Sequence, residues 1–171
     1  MILEKVSGRP YKECVEEMVF GPAGMEWSSS DTIGDVTSCP EEPDGYHLAQ
    51  HSARGAGDIH TNVLDMLRFD RAYFAGRIVS SDQIKTMLVF DDGYGCGWTT
   101  DGYCWWHKEG DPFDEDLIFH GGETLSYTCD NIVFNASGER VYLIMMSPCF
   151  TNETSKIVEL CKNELMKVVS V

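Results

Sequence analysis

The residue types closest to a working site in this sequence are His120-Gly121-Gly122-Glu123. Two adjacent glycines leave the backbone without side chains, so a ligand or another chain segment can approach it closely. The neighbouring His120 can supply a hydrogen bond or a positive charge near neutral pH. A β-bulge beside a surface histidine would account for the same residues with no ligand at all.

Other groupings carry less chemistry. His47 and His51 stand at i and i+4, a spacing that shares one metal ion on a helix, but the glycines and prolines around them do not favour a helix. Asp111-Pro112-Phe113-Asp114-Glu115-Asp116 is acidic without the alternating ligands of a calcium loop and reads as solvated. Gly93-x-Gly95-x-Gly97 has neither the spacing nor the strand-to-helix setting of a dinucleotide fingerprint. Trp98, Trp105 and Trp106 read as core or cleft-wall aromatics. No metal and no organic cofactor is expected.

The elements that must position these residues follow from local signals. Ile2 to Val6 reads as the closing turns of a helix stopped by Ser7-Gly8, an abrupt start for a domain. Pro10 opens a second helix to about Phe20, with Tyr11, Val15, Met18 and Val19 as its apolar face; Gly21-Pro22-Ala23-Gly24 then breaks it. Residues 28–57 read as a long surface excursion. Thr61 is the expected N-cap of a helix through about Phe74, with Val63, Leu64, Leu67 and Phe74 inward and Gly76 as its stop. Ser80-Ser81-Asp82-Gln83 matches a capping box, so a short helix through Leu88 follows.

From Gly93 the period shifts from 3.6 towards 2. Tyr94–Thr99, Tyr103–Lys108, Leu117–Phe119, Ser126–Phe134 and Val141–Ser147 are strand candidates, and Asn135-Ala136-Ser137-Gly138 is a hairpin connection. Thr151 or Asn152 caps a terminal helix in which Ile157, Leu160, Cys161, Leu165 and Val168 recur at helical spacing. The expected class is therefore α+β: an antiparallel sheet with covering helices. Residues 1–91 form its mostly helical and loop part, and residues 92–171 the sheet and last helix.

Composition narrows the partners. There are 13 Lys and Arg against 28 Asp and Glu, a net charge of −15. No basic patch exists to displace counterions from a polyanion, so nucleic acid is not an expected partner. The longest apolar run, Val141–Met146, falls far short of the ~20 residues of a membrane helix. The N-terminus has no signal-peptide pattern. Seven scattered cysteines, Cys14, Cys39, Cys96, Cys104, Cys129, Cys149 and Cys161, form no Cys-x-x-Cys pair. They read as buried small apolar side chains in a reducing, cytoplasm-like compartment.

An ordered series of motifs resembles the serine β-lactamase-like family, which includes class C β-lactamases, penicillin-binding proteins, esterases and D-aminopeptidases. The series is Ile2-Leu3-Glu4-Lys5-Val6-Ser7-Gly8, Phe20-Gly21-Pro22-Ala23-Gly24-Met25, Gly45-Tyr46, Gly55-Ala56-Gly57-Asp58-Ile59-His60-Thr61 with Asp65-Met66-Leu67-Arg68-Phe69, Tyr94-Gly95-Cys96-Gly97-Trp98 and His120-Gly121-Gly122. The resemblance implies acyl transfer on a β-lactam, peptide or ester by a serine nucleophile. It also implies that His120-Gly121-Gly122 lines one cleft wall, that Glu123 N–H is one oxyanion donor, and that His120 helps orient the base and a substrate carboxylate.

That chemistry needs Ser-x-x-Lys, in which the amine takes the hydroxyl proton. Three residues before each Lys stand Ile2, Arg9, Asp82, Trp105, Glu153, Glu159 and Glu164. The second element, Tyr-x-Asn or Ser-x-Asn, is also missing: His60, Cys129, Val133, Phe150 and Cys161 stand two before each Asn. The resemblance thus implies a C-terminal portion of one domain, inactive alone. Family sheets join N-terminal strands to C-terminal ones, so the Val141–Ser147 strand is expected to carry an open edge and to drive self-association. A non-catalytic binding module on the same scaffold is the alternative.

Overall fold

The structure, a computed structural model, describes residues 2–30, 55–89, 94–99, 118–123, 127–136 and 138–148, with single helical positions between 156 and 167. These residues divide into two compact units, one up to Thr86 and one from Met87 onward.

The first unit is helical. Helix α1 (Ile2–Ser7) stops at Gly8, whose φ of +68° is the left-handed turn a glycine adopts without strain. Glu4 Oε1 then accepts Tyr11 N–H at 3.1 Å, tying α1 to the start of α2 (Tyr11–Val15). The chain continues through a π-helical segment, Glu16–Phe20, into α3 (Gly21–Ala23). The break expected over Gly21–Gly24 falls at its last residue, Gly24, where φ reaches +73° and Met25 N–H closes onto Phe20 C=O at 2.9 Å. The wider π turn also rotates the apolar face. Phe20 is buried while Met18, expected inward, is exposed. Tyr11, Val15, Phe20, Ala23, Met25 and Ala72 make the core, with Leu3, Val19, Phe69 and Ile78 packed against it.

Helix α4 (Val63–Phe74) is capped by Asn62 rather than Thr61; Asn62 Oδ1 accepts Leu64 and Asp65 N–H, both at 3.0 Å. Val63 and Leu64, expected inward, are exposed, and Asp65, Asp70, Ala72 and Tyr73 are buried. The helix is oriented by a buried carboxylate, which hydrophobic spacing does not register. Helix α5 (Ser81–Met87) has both halves of its capping box: Gln83 N–H donates to Ser80 Oγ at 3.3 Å, and Ser80 N–H to Gln83 Oε1 at 3.0 Å.

The second unit is an antiparallel meander of β1 (Tyr94–Gly95), β2 (Trp98–Thr99), β3 (Ile118–Glu123), β4 (Thr128–Ala136) and β5 (Glu139–Ser147), adjacent in chain order. The α+β class is as expected. Tyr94–Thr99 is a hairpin rather than one strand, because Cys96 and Gly97 both have positive φ (44° and 92°) and form its two-residue turn. The last hairpin is tighter than expected: Ala136 pairs with Glu139. Tyr103–Lys108 lies outside the described residues.

Ile132, Val133 and Phe134 are consecutive and all buried, so both faces of β4 are covered. Positions 156–157, 160–161, 163–165 and 167 are helical, in agreement with the expected last helix. Its Ile157, Leu160 and Cys161 are exposed. Of the described cysteines Cys14 is buried and Cys129 half-buried, but Cys96 and Cys161 are exposed, which corrects the uniform buried reading. Among the described residues no helix is long and apolar enough to cross a membrane.

Candidate functional site

His120, Gly121, Gly122 and Glu123 all lie on β3, in unbroken one-to-one register with β4. His120 is opposite Asn131, Gly121 opposite Asp130, Gly122 opposite Cys129 and Glu123 opposite Thr128. This regular ladder excludes the bulge reading. Backbone conformation does not demand the glycines either, since neither Gly121 nor Gly122 is among the residues with positive φ. A Cβ placed on Gly122 would meet Cys129 Sγ at 3.6 Å, an ordinary contact. Packing against Cys129 thus does not require a glycine at position 122, which leaves close approach by another group as its physical use.

The strand is held by Phe119, fully buried between Thr99 of β2 and Ile132 of β4 in the ladder. One residue on, His120 is exposed. Gly122 stands directly opposite Cys129, and its backbone N–H acts to lower the pKa of that thiol. Successive N–H groups of a strand point to opposite edges, so the N–H groups of Gly122 and Glu123 face opposite edges of β3. The sequence motif marks these residues as a group; the register shows which residue of β4 each of them faces.

Cys129 is the nucleophile-capable side chain directly across from Gly122, and motif reasoning passed it over. Burial first, then the Asp130 carboxylate, push its thiol above the ordinary range, against the opposing hydrogen bond from Gly122. A thiol held protonated is a poor nucleophile.

A second polar cluster lies in the helical unit around Asp65, whose side chain is fully buried. Its carboxylate accepts Trp27 N–H at 2.7 Å, Ser28 Oγ–H at 2.8 Å, Arg68 N–H at 2.9 Å and Glu26 N–H at 3.3 Å. Ser28 has one proton and gives it to Asp65, so Thr61 Oγ1, 2.7 Å away, must donate to Ser28. Burial raises the Asp65 pKa, but the bonds from Ser28, Trp27, Arg68 and Glu26 outweigh it and hold the carboxyl below its usual range. Such a carboxylate is a weak base, and Ser28 is not activated by it. The cluster clamps the Glu26–Ser28 turn onto α4. Sequence spacing marked Asp65 only as part of a motif; an acid on the inward side of a helix was the available signal.

Trp98 is buried, consistent with a core role, and Gly95 and Gly97 belong to the β1–β2 hairpin. His47, His51, Trp105, Trp106 and residues 111–116 lie outside the described residues. Among the described residues no group of three His, Cys, Asp or Glu is placed to hold a metal ion.

The family model described as Beta-lactamase matches residues 1–157. A protein of Bacillus subtilis (strain 168) that bears the name penicillin-binding protein PbpX is 30% identical over 112 residues, which cover 56% of this chain and 27% of that protein. The chain thus spans about a quarter of the length of that relative. No solved structure matches the chain.

Proposed function

Since the chain belongs to the β-lactamase family, we propose that it is the C-terminal portion of a single serine-hydrolase domain, inactive alone, whose parent transfers an acyl group from a β-lactam, peptide or ester. The parent's serine attacks the carbonyl, an acyl-enzyme forms, and water releases the acid. This chain contributes one cleft wall. The substrate carbonyl lies against Gly121 and Gly122, and the developing O⁻ accepts Glu123 N–H; the second donor is the nucleophile's own N–H, from outside this sequence. Loss of one such donor costs about 3 kcal/mol of transition-state stabilisation. His120 orients the base and a substrate carboxylate.

The observation that carries this reading is that His120, Gly121, Gly122 and Glu123 lie together on β3, with two adjacent glycines in an unbroken ladder with β4. The absence of Ser-x-x-Lys and of Tyr-x-Asn or Ser-x-Asn supports inactivity of the chain alone. A chromogenic β-lactam and an activated ester, each followed by intact-mass spectrometry, provide the test. The expected result is no turnover above a His120→Ala control and no adduct. A covalent acyl adduct on any serine of this chain refutes the proposal.

A second reading, a non-catalytic module that associates with itself, is favoured by β5. It is the last strand in the order of the sheet.

A further inference from the structure

We propose that Asn135, on the β4–β5 hairpin, is the acceptor of an N-linked glycan. Of the five asparagines, Asn135 and Asn152 have a hydroxyl residue two positions on, Ser137 and Thr154. Asn-x-Ser/Thr is the acceptor pattern for this modification where x is not proline, and x is Ala136 in one and Glu153 in the other. Asn62, Asn131 and Asn163 have Leu64, Val133 and Leu165 in that place and do not fit it. Asn152 lies outside the described residues.

A glycan is bulky and hydrated, so its asparagine must reach solvent and must not be needed for another bond. Asn135 meets both conditions: its side chain is exposed and takes part in no hydrogen bond or ion pair of the described residues. The other asparagines of the folded units differ. Asn62 caps α4, and Asn131, on the same face of β4, is buried. Asn135 stands opposite Arg140, one pair before the hairpin closes at Ala136 and Glu139, and Gly138, Glu139 and Arg140 around it are exposed too. Pairing with β3 ends at Val133, and His120 is opposite Asn131. The attachment point is therefore about 13 Å along the strand from the His120 row, beyond the end of β3 rather than over its glycines.

In the transfer, Asn135 Nδ2 bonds to the anomeric carbon of a sugar carried on a lipid pyrophosphate. The bond from that carbon to the phosphate oxygen breaks, the lipid pyrophosphate leaves, and the amide releases one proton; nothing is oxidised or reduced. Donor and transferase belong to the compartment in which secreted proteins are modified. The proposal thus competes with the cytoplasm-like expectation drawn from the cysteines, two of which, Cys96 and Cys161, are exposed rather than buried.

Two measurements test this, both read by mass on the tryptic peptide that ends at Arg140. The full chain, translated behind a cleavable secretion signal with microsomes, should gain a glycan in its membrane-protected fraction. Release by an amide-cleaving glycosidase in heavy-oxygen water should leave a labelled aspartate at position 135. Asn135→Gln and Ser137→Ala should lose the label, and Ser137→Thr should retain it. The natural protein, purified from its source and treated in the same way, should carry the label at the same position. A membrane-protected chain that stays unmodified at Asn135, or a label that persists in Ser137→Ala, overturns the proposal. So does a natural protein without the modification, which would leave the cytoplasm-like expectation standing.

Discussion

Replacing Asp65 by Asn changes no volume and removes one charge, which makes it a sharp test of how the helical unit is held. The carboxylate receives four donors, at 2.7, 2.8, 2.9 and 3.3 Å. An amide keeps one acceptor oxygen and turns its NH2 towards two of those donors. Two charge-assisted bonds are lost, each worth about 1.5–3 kcal/mol. A buried donor is also left facing a donor, so the expected loss is about 3–5 kcal/mol. With a urea slope of about 2 kcal/mol per molar, the midpoint falls by roughly 2 M. Amide exchange at Trp27, whose N–H makes the shortest of the four bonds, should accelerate with it.

Acid provides the second arm. The folded Asp65 pKa lies below its ordinary value, so its contribution is fully present above the unfolded carboxyl pKa and is lost as pH falls through the folded one. Asp65→Asn has no such group, so the stability gap between the two proteins should narrow on acidification from about pH 5 towards about pH 2. A midpoint shift under about 0.3 M near neutral pH, or a gap that stays constant on acidification, would refute the clamp.

Three further outcomes follow from local geometry. Gly95→Ala should destabilise by about 1–3 kcal/mol in the same urea assay, because the new Cβ would sit 2.8 Å from Val89 C=O and 2.9 Å from Met87 C=O, backbone atoms that cannot rotate aside. Cys96→Asn should stabilise the β1–β2 hairpin by up to about 1 kcal/mol, since Cys96 holds φ +44° in a turn that favours Asn before Gly; an unchanged thermal midpoint counts against it. In a thiol-labelling time course read by peptide mass, exposed Cys96 and Cys161 should react first. Cys129 should lag and gain rate only at alkaline pH, because burial and Asp130 raise its pKa.

What could be read in advance was mostly short-range. The Gly8 stop, the Ser80–Gln83 capping box and the hairpin before β5 depend on residues within about four positions, where φ limits and side-chain reach settle the outcome. Two short-range readings were adjusted by the structure. Asn62 displaced Thr61 as the cap, Thr61 being drawn into the Ser28 and Asp65 hydrogen bonds. The helix expected to run to about Phe20 and to break over Gly21–Gly24 continued to Ala23 and stopped at Gly24, the last residue of that stretch, because a π turn is not marked by residue type.

Amino-acid order by itself determined that a strand bearing His120-Gly121-Gly122 belongs to a β-lactamase family chain, and that Ser-x-x-Lys is missing, because motif and absence are properties of the string. Tertiary structure alone decided the rest. Val63 and Leu64 face out and Asp65 faces in, since a buried carboxylate with four donors fixes a helix's rotation more firmly than two apolar side chains do. His120 to Glu123 stand opposite Asn131 to Thr128, since that register is set by pairing with β4, a separate stretch of the chain.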